Sequence, residues 1–181
     1  EIKAAVNEER LNRVKLYSGL PLKSIKEVLA ISKTKDVDVV AISGHTKGLP
    51  DIAEYIKNFL ATSPRYYINL LGRFKHVMHY RQRCYREMYA LAKKRFPKAR
   101  ICSVEHHLAH AASAHYTSGE KKNLIVTIDA WGDRLSNGAY LGEDNKIELL
   151  HSTPELYSLG YFYGSITGAL GFIYHRHEGK V

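Results

Sequence analysis

A chain of 181 residues that is 45% hydrophobic and 25% charged holds enough apolar material for one sizeable core, or for two small lobes sharing a cleft. It has no apolar run near the roughly 18 residues that cross a bilayer and no charged n-region leading into an apolar h-region, which argues for a soluble, cytoplasmic protein. The formal net charge of +9 raises nucleic acid as a partner, but ten of the 27 basic residues and one of the 18 acidic ones lie between Arg73 and Arg100, so one segment carries the whole excess.

That stripe reads as a phosphate-binding surface, as a solvated helix face or as a contact for an acidic partner. No RNA-binding motif accompanies it, which makes nucleic acid the weaker reading. Cys84 and Cys102 stand in unrelated contexts with no C-x-x-C partner, as free thiols do.

From the start, Ile2–Val6 is a short β-like run that passes directly into charge, and the first strand of a sheet is expected upstream of it. Residues 22–32, LKSIKEVLAIS, place Leu22, Ile25, Val28, Leu29 and Ser32 at helical spacing, with Lys23, Lys26 and Glu27 outward. Val37–Ser43 is a continuous β-branched run of the kind a buried parallel strand shows, giving a helix-then-strand unit of an α/β fold. A loop with Gly44, Gly48 and Pro50 leads to a helix predicted from Asp51, its N-cap, to about Leu60. A longer helical pattern rich in Tyr, Arg and His runs from Tyr66 to about Phe96 and stops at Pro97. Residues 99–104, ARICSV, form the next strand and deliver Glu105 and three histidines at its carboxyl end, where open α/β sheets bind ligands.

Beyond Asn123 the pattern changes. NLIVTID, NGAYLGE and KIELLHS read as three short strands of an antiparallel meander, with turns at Gly132–Asp133 and Asp144–Asn145. SLGYFYGSITGALGF is a helix rich in small residues, and the final HEGKV shows neither a cap nor a closing strand.

The histidines carry the chemistry. On a helix, residues i and i+4 share a face, so His106 and His110 project together while His107 is turned away by about 100°. Such a pair presents two imidazoles to one divalent metal. A third ligand is then needed, and Asp129, at the end of LIVTID, is the best-placed carboxylate. Two histidines and a carboxylate suit iron, manganese or zinc and leave positions for substrate or water. The same spacing also arises by chance, and a histidine in a first helical turn can serve only to bond backbone, so metal and structural roles both stay open. His76, His79, His115, His151, His175 and His177 read as structural. In DAWGDRLSNG, Gly132, Asp133, Ser136 and Asn137 can aim backbone N–H groups and a hydroxyl at a phosphate; a plain hairpin turn is the other reading.

VEHHLAHAASAHYTSG, IVTIDAWGDRLSNGAYLG, SLGYFYGSITGALGF and HEGKV, with the opening AAVNEERLNRVK, resemble in order the N-terminal domain of the carbamoyltransferases that include nodulation-factor and antibiotic-tailoring O-carbamoyltransferases. The resemblance implies a partial actin-like ATPase fold of the sugar kinase, Hsp70 and actin group, with mixed sheets flanked by helices. It relates the chain to the tRNA threonylcarbamoyl-transfer proteins. Residues 1–119 would form a first lobe and 120–181 the start of a second, with a carbamoyl-adenylate-forming domain beyond.

The resemblance further implies that His106, His110 and Asp129 bind a metal, commonly iron, beside the adenylate. Gly132 and Asp133, with Ser136, would lie next to nucleotide phosphates. Lys180, with Glu178 and Gly179, falls on a further conserved stretch, and His107 or Glu105 would take the acceptor's proton. Ala130 and Arg134 depart from the family pattern, where glycine and a small residue are usual. The implied reaction makes carbamoyl-adenylate from carbamoyl phosphate and ATP and transfers the carbamoyl group to a small-molecule or sugar-like hydroxyl. A family metal ligand lies further downstream, so these residues alone are not expected to carry out transfer. Two other readings remain at this point: a tRNA-modifying protein with Arg73–Arg100 as its RNA surface, and a catalytically silent binding fragment.

Overall fold

The computed structural model describes residues 2–15, 17–44, 83–133, 135–174 and 176–181. Gly48, Pro50, the helix expected over Asp51–Leu60 and residues 66–82 of the long helical pattern lie outside the described residues. The described residues cluster into two compact units, one built from residues up to Ile42 with the helix that precedes Cys102, the other from Ser103 onward.

In the first unit, Asn7 opens a short helix, α1 (Glu8–Asn12), by accepting the Glu9 N–H at 3.1 Å, and Arg13 ends it at φ 62°. Ile2–Val6, expected as β-like, forms no strand among the described residues and leads straight into this cap. Helix α2 (Leu22–Ser32) falls where the apolar spacing placed it, but its Pro21 N-cap offers no side-chain acceptor. Glu8 supplies one from 16 residues away. Its Oε2 accepts the Ser24 N–H at 2.7 Å and the Ser24 Oγ–H at 2.8 Å, and its Oε1 accepts the Lys23 N–H at 3.2 Å. Because Pro21 has no N–H, this helix start leaves three N–H groups without an intrahelical partner, and two of them are thereby satisfied by a carboxylate at the positive end of the dipole. Ser24 is consequently the buried residue of α2, while Leu22, expected inward, is 55% exposed.

Partial burial raises the Glu8 pKa, but the bonds from Ser24 and Lys23 and the Lys23 charge outweigh it and hold the carboxyl below its usual 4.5. A depressed folded pKa contributes stability that is complete above the unfolded value and is lost as pH falls through the folded one. Urea midpoints taken from pH 6 down to pH 3 should therefore fall less steeply for Glu8→Gln than for wild type; parallel curves would show that the cap is electrostatically inert.

Residues 83–95 form helix α3, which stops before Phe96, one residue ahead of the expected end. Its one acid, Glu87, pairs with Arg83 at 3.0 Å across one turn, leaving the rest of this basic face uncompensated along the helix. Strands β1 (Val39–Ser43) and β2 (Arg100–Val104) pair in parallel: Asp38 O accepts from Arg100 N–H and Val104 O from Gly44 N–H, so both chains advance together. The expectation of a fully buried β1 fails for Val39, which is 44% exposed; Ile42 is the buried member. Cys84 and Cys102 are free thiols, as expected.

The second unit is the meander. Strands β3 (Lys122–Gly132), β4 (Leu135–Glu143) and β5 (Lys146–Pro154) are antiparallel in the order β3-β4-β5. The β4–β5 turn is the two-residue Asp144–Asn145 connection, with Asp144 at φ 51°. Helix α4 (His106–Ser118) lies on β3 and β4, and helix α5 (Leu159–Ala169) packs on β3. Along β4 every second residue, Ser136, Gly138, Tyr140 and Gly142, is buried, the period-2 signature of a strand covered on one face. Ala111, Ile125 and Tyr140 form the core under α4, flanked by Leu108 and Ile147. Gly142 is required there, because a Cβ would stand 2.6 Å from Asn123 Oδ1 and overlap the His115 ring. His115 is structural, as expected: it is buried at the last turn of α4, bonded to Asn123 Oδ1 (2.8 Å) and the Asp144 carbonyl (2.9 Å). The architecture is thus mixed α/β, with a parallel pair and an antiparallel sheet flanked by helices. Among the described residues no helix is long and apolar enough to cross a membrane.

Candidate metal centre

Strand β2 hands the chain to α4 through Glu105, whose carboxylate caps the helix. Its Oε1 accepts the His107 N–H at 2.8 Å and its Oε2 accepts the Leu108 N–H at 2.7 Å. This fixes the phase of α4, so that His106 and His110 face the end of β3. There the β3–β4 register slips between Ile128 and Gly132, an irregularity of the kind that re-aims a side chain, and Asp129 sits within it.

The His106 Nε2 lies 2.7 Å from Asp129 Oδ2 and 3.0 Å from His110 Nε2, and the remaining edge, His110 Nε2 to Asp129 Oδ2, is 3.7 Å. Among the described residues these three form the one cluster of possible metal ligands. Their side chains are 31%, 56% and 36% exposed for His106, His110 and Asp129, so the triangle opens to solvent. Ligands about 2.1 Å from a common ion stand roughly 3.0 Å apart at neighbouring octahedral positions and roughly 3.4 Å apart in a tetrahedron. The three edges bracket both values. Without a cation the arrangement is frustrated: one hydrogen on His106 Nε2 cannot serve both the carboxylate and a second ring nitrogen 3.0 Å away. The donor set therefore fits a divalent ion held by two imidazoles and one carboxylate on one face, with the opposite face free.

Asp129 is itself held. Its Oδ1 accepts the Ala130 N–H at 2.7 Å, and the Ser158 Oγ–H donates to its backbone carbonyl at 3.2 Å. Burial raises its pKa, yet the His106 hydrogen bond, the Ala130 N–H and the nearby histidine charges prevail and keep the carboxyl below the usual range, ionised and ready as a ligand. Ser158 and Gly160 were not singled out from the sequence. Ser158 caps α5 through the Tyr161 N–H, and a Cβ on Gly160 would stand 2.6 Å from Ala130 Cα, so this pair seats α5 against the Asp129 strand end. The available signal was a cap serine followed by a small residue.

The other sequence-derived candidates are placed differently. Gly132 and Asp133 lie beside His106: Asp133, at φ 49°, accepts the His106 N–H through Oδ2 at 2.8 Å. His107 has no exposed surface and engages Thr127 Oγ1 at 2.9 Å and the Leu135 carbonyl at 3.1 Å. With both ring nitrogens engaged in a closed environment, it is a strut between α4 and the sheet and does not face an acceptor. Glu105 is committed to the cap. Beneath it the buried Tyr140 hydroxyl makes no hydrogen bond of ordinary geometry, and burial, then the Glu105 charge and carboxylate, push its pKa up to about 12. Ser136 is fully buried and directs its hydroxyl to the Thr153 and Pro154 carbonyls, so no hydroxyl remains for a phosphate. Lys180 is exposed in the short 3-10 turn Glu178–Lys180, where the Tyr163 hydroxyl donates to the Glu178 carbonyl.

The chain is similar in sequence to known proteins. Nodulation protein NolNO of Sinorhizobium fredii is 31% identical over 178 residues, which is 95% of this chain and 24% of that protein. An uncharacterized protein of Methanocaldococcus jannaschii is 28% identical over 181 residues, 100% of this chain and 28% of its own length. Nodulation protein NolO of Bradyrhizobium diazoefficiens is 43% identical over 60 residues, 33% of this chain and 11% of that protein. The chain thus spans about a quarter of the length of the first two relatives. The family model described as carbamoyltransferase N-terminus matches residues 1–181, and the chain belongs to that family.

Proposed function

We propose that this chain forms the metal-bearing part of an actin-like carbamoyltransferase domain, in which a carbamoyl group passes from carbamoyl-adenylate, made from carbamoyl phosphate and ATP, to an acceptor hydroxyl. The observation that carries the reading is the convergence of His106, His110 and Asp129 at the end of β3, within a chain matched throughout by the carbamoyltransferase N-terminus. A divalent ion bound there, iron in the leading reading, supplies Lewis-acid chemistry by polarising a carbonyl or adenylate phosphate oxygen.

The chain's own residues supply the rest. Ala130 N–H and Ser158 hold Asp129, Asp133 and Glu105 hold the start of α4, and His107 ties α4 to the sheet, so the three ligands keep one geometry. The outward side of the triangle is open, which leaves room for nucleotide and acceptor. His107 is fully buried and both Glu105 carboxylate oxygens are engaged in the helix cap, so the acceptor's proton leaves through another group.

The test supplies the full-length protein with ATP, isotopically labelled carbamoyl phosphate and ferrous iron, with a panel of monosaccharides as acceptors, and detects O-carbamate products by mass spectrometry. Asp129→Asn should lower product formation by about 100-fold or more while His107→Gln retains turnover in whatever fraction stays folded. Undiminished product from folded Asp129→Asn would remove the triad from the mechanism.

A further inference from the structure

The turn after β3 places Gly132 and Asp133 directly behind His106, and the two residues act on it in different ways. A Cβ on Gly132 would stand 2.5 Å from His106 Nε2 and closer still to the ring carbons, so any side chain there displaces the imidazole. Gly132 itself is buried. Asp133, in the left-handed backbone region at φ 49°, brings its carboxylate onto the backbone N–H of His106, the first residue of α4.

The start of α4 is thereby closed. His106 N–H goes to Asp133, His107 and Leu108 N–H go to Glu105, and Ala109 N–H goes to the Glu105 carbonyl as the first regular helical bond. The three N–H groups of the first turn, His106 to Leu108, which a helix start can offer to an anion, are thus all taken by carboxylate oxygens. A phosphate approaching this terminus would meet negative charge instead of donors.

From this geometry we infer that Gly132 and Asp133 are positioning residues for the metal ligand His106: Gly132 clears the space its ring occupies, and Asp133 pins the backbone from which that ring projects. This assigns the turn a task other than contact with a nucleotide phosphate. It rests on the metal reading of His106, His110 and Asp129. Outer partners of metal ligands typically change affinity by about 10- to 100-fold when removed, because the ligand loses its orientation.

The test is anaerobic titration of the full chain with cobalt(II), read from its ligand-field absorption, with thermal unfolding followed on the same samples. Asp133→Asn retains an oxygen acceptor and tolerates the left-handed backbone, so its affinity should stay within about threefold of wild type. Asp133→Ala should bind about 10- to 100-fold more weakly, and Gly132→Ala at least about tenfold more weakly with a shifted absorption band. If Gly132→Ala fails to fold, the Asp133 pair still decides. Wild-type affinity and spectrum in folded Asp133→Ala would overturn the inference, as would equal losses in Asp133→Asn and Asp133→Ala. Wild type that binds no cobalt would instead overturn the metal reading on which the inference stands.

Discussion

Replacing His106 and His110 together with alanine should abolish stoichiometric metal binding while leaving the fold in place. Both rings are substantially exposed, at 31% and 56%, and neither belongs to the Ala111, Ile125 and Tyr140 core, so truncating them opens no sealed cavity. The loss of affinity should exceed the roughly 100-fold that removal of an outer-shell partner can cause, because two of three donors are gone. Equilibrium dialysis against ferrous iron under anaerobic conditions, beside a thermal melt, reads both parts. Near-stoichiometric iron in wild type and none in a folded double variant is the expected outcome. Metal retained by the folded double variant would mean that the ion sits elsewhere, and wild type that stays metal-free would dismantle the centre in this chain.

The convergence of His106 and His110 on Asp129 was legible because its information is local. A His-x-x-x-His spacing on a helix aims two rings at one point regardless of what surrounds them, and the end of LIVTID supplies the carboxylate once β2, α4 and β3 are recognised. The meander and α5 were legible for the same reason, from three short strand-like runs separated by turns at Gly132–Asp133 and Asp144–Asn145, and from a helical run rich in small residues. What failed to read through were residues whose role depends on a distant neighbour. Ser24 is buried because Glu8 reaches it from α1, and nothing in LKSIKEVLAIS states that. Ser136 looked available to a phosphate because the turn is polar, yet its hydroxyl is consumed by β5 carbonyls 17 and 18 residues away. Gly132 was read as clearance for a ligand, and the object that occupies the clearance is the chain's own His106.

His107→Ala should destabilise the protein by about 3 kcal/mol, through a cavity and two lost hydrogen bonds. For a chain of this size that corresponds to a fall in Tm of roughly 6–12 °C. His107 is fully buried beneath α4. Its truncation leaves the Leu135 carbonyl without its donor and takes from Thr127 its nearer partner, leaving that hydroxyl only the Gly138 carbonyl at 3.3 Å. His107→Gln restores a side-chain amide at part of the same reach and should recover some of the loss. A histidine serving as general base would behave in the opposite way: its alanine variant would melt near wild type and lose turnover selectively, because an exposed catalytic ring contributes little packing. Calorimetric melts of wild type, His107→Ala and His107→Gln therefore separate a strut from a base. An unchanged Tm for His107→Ala would return the residue to the list of groups that could face the acceptor, whereas a large drop with partial rescue leaves the acceptor's proton to a group other than His107.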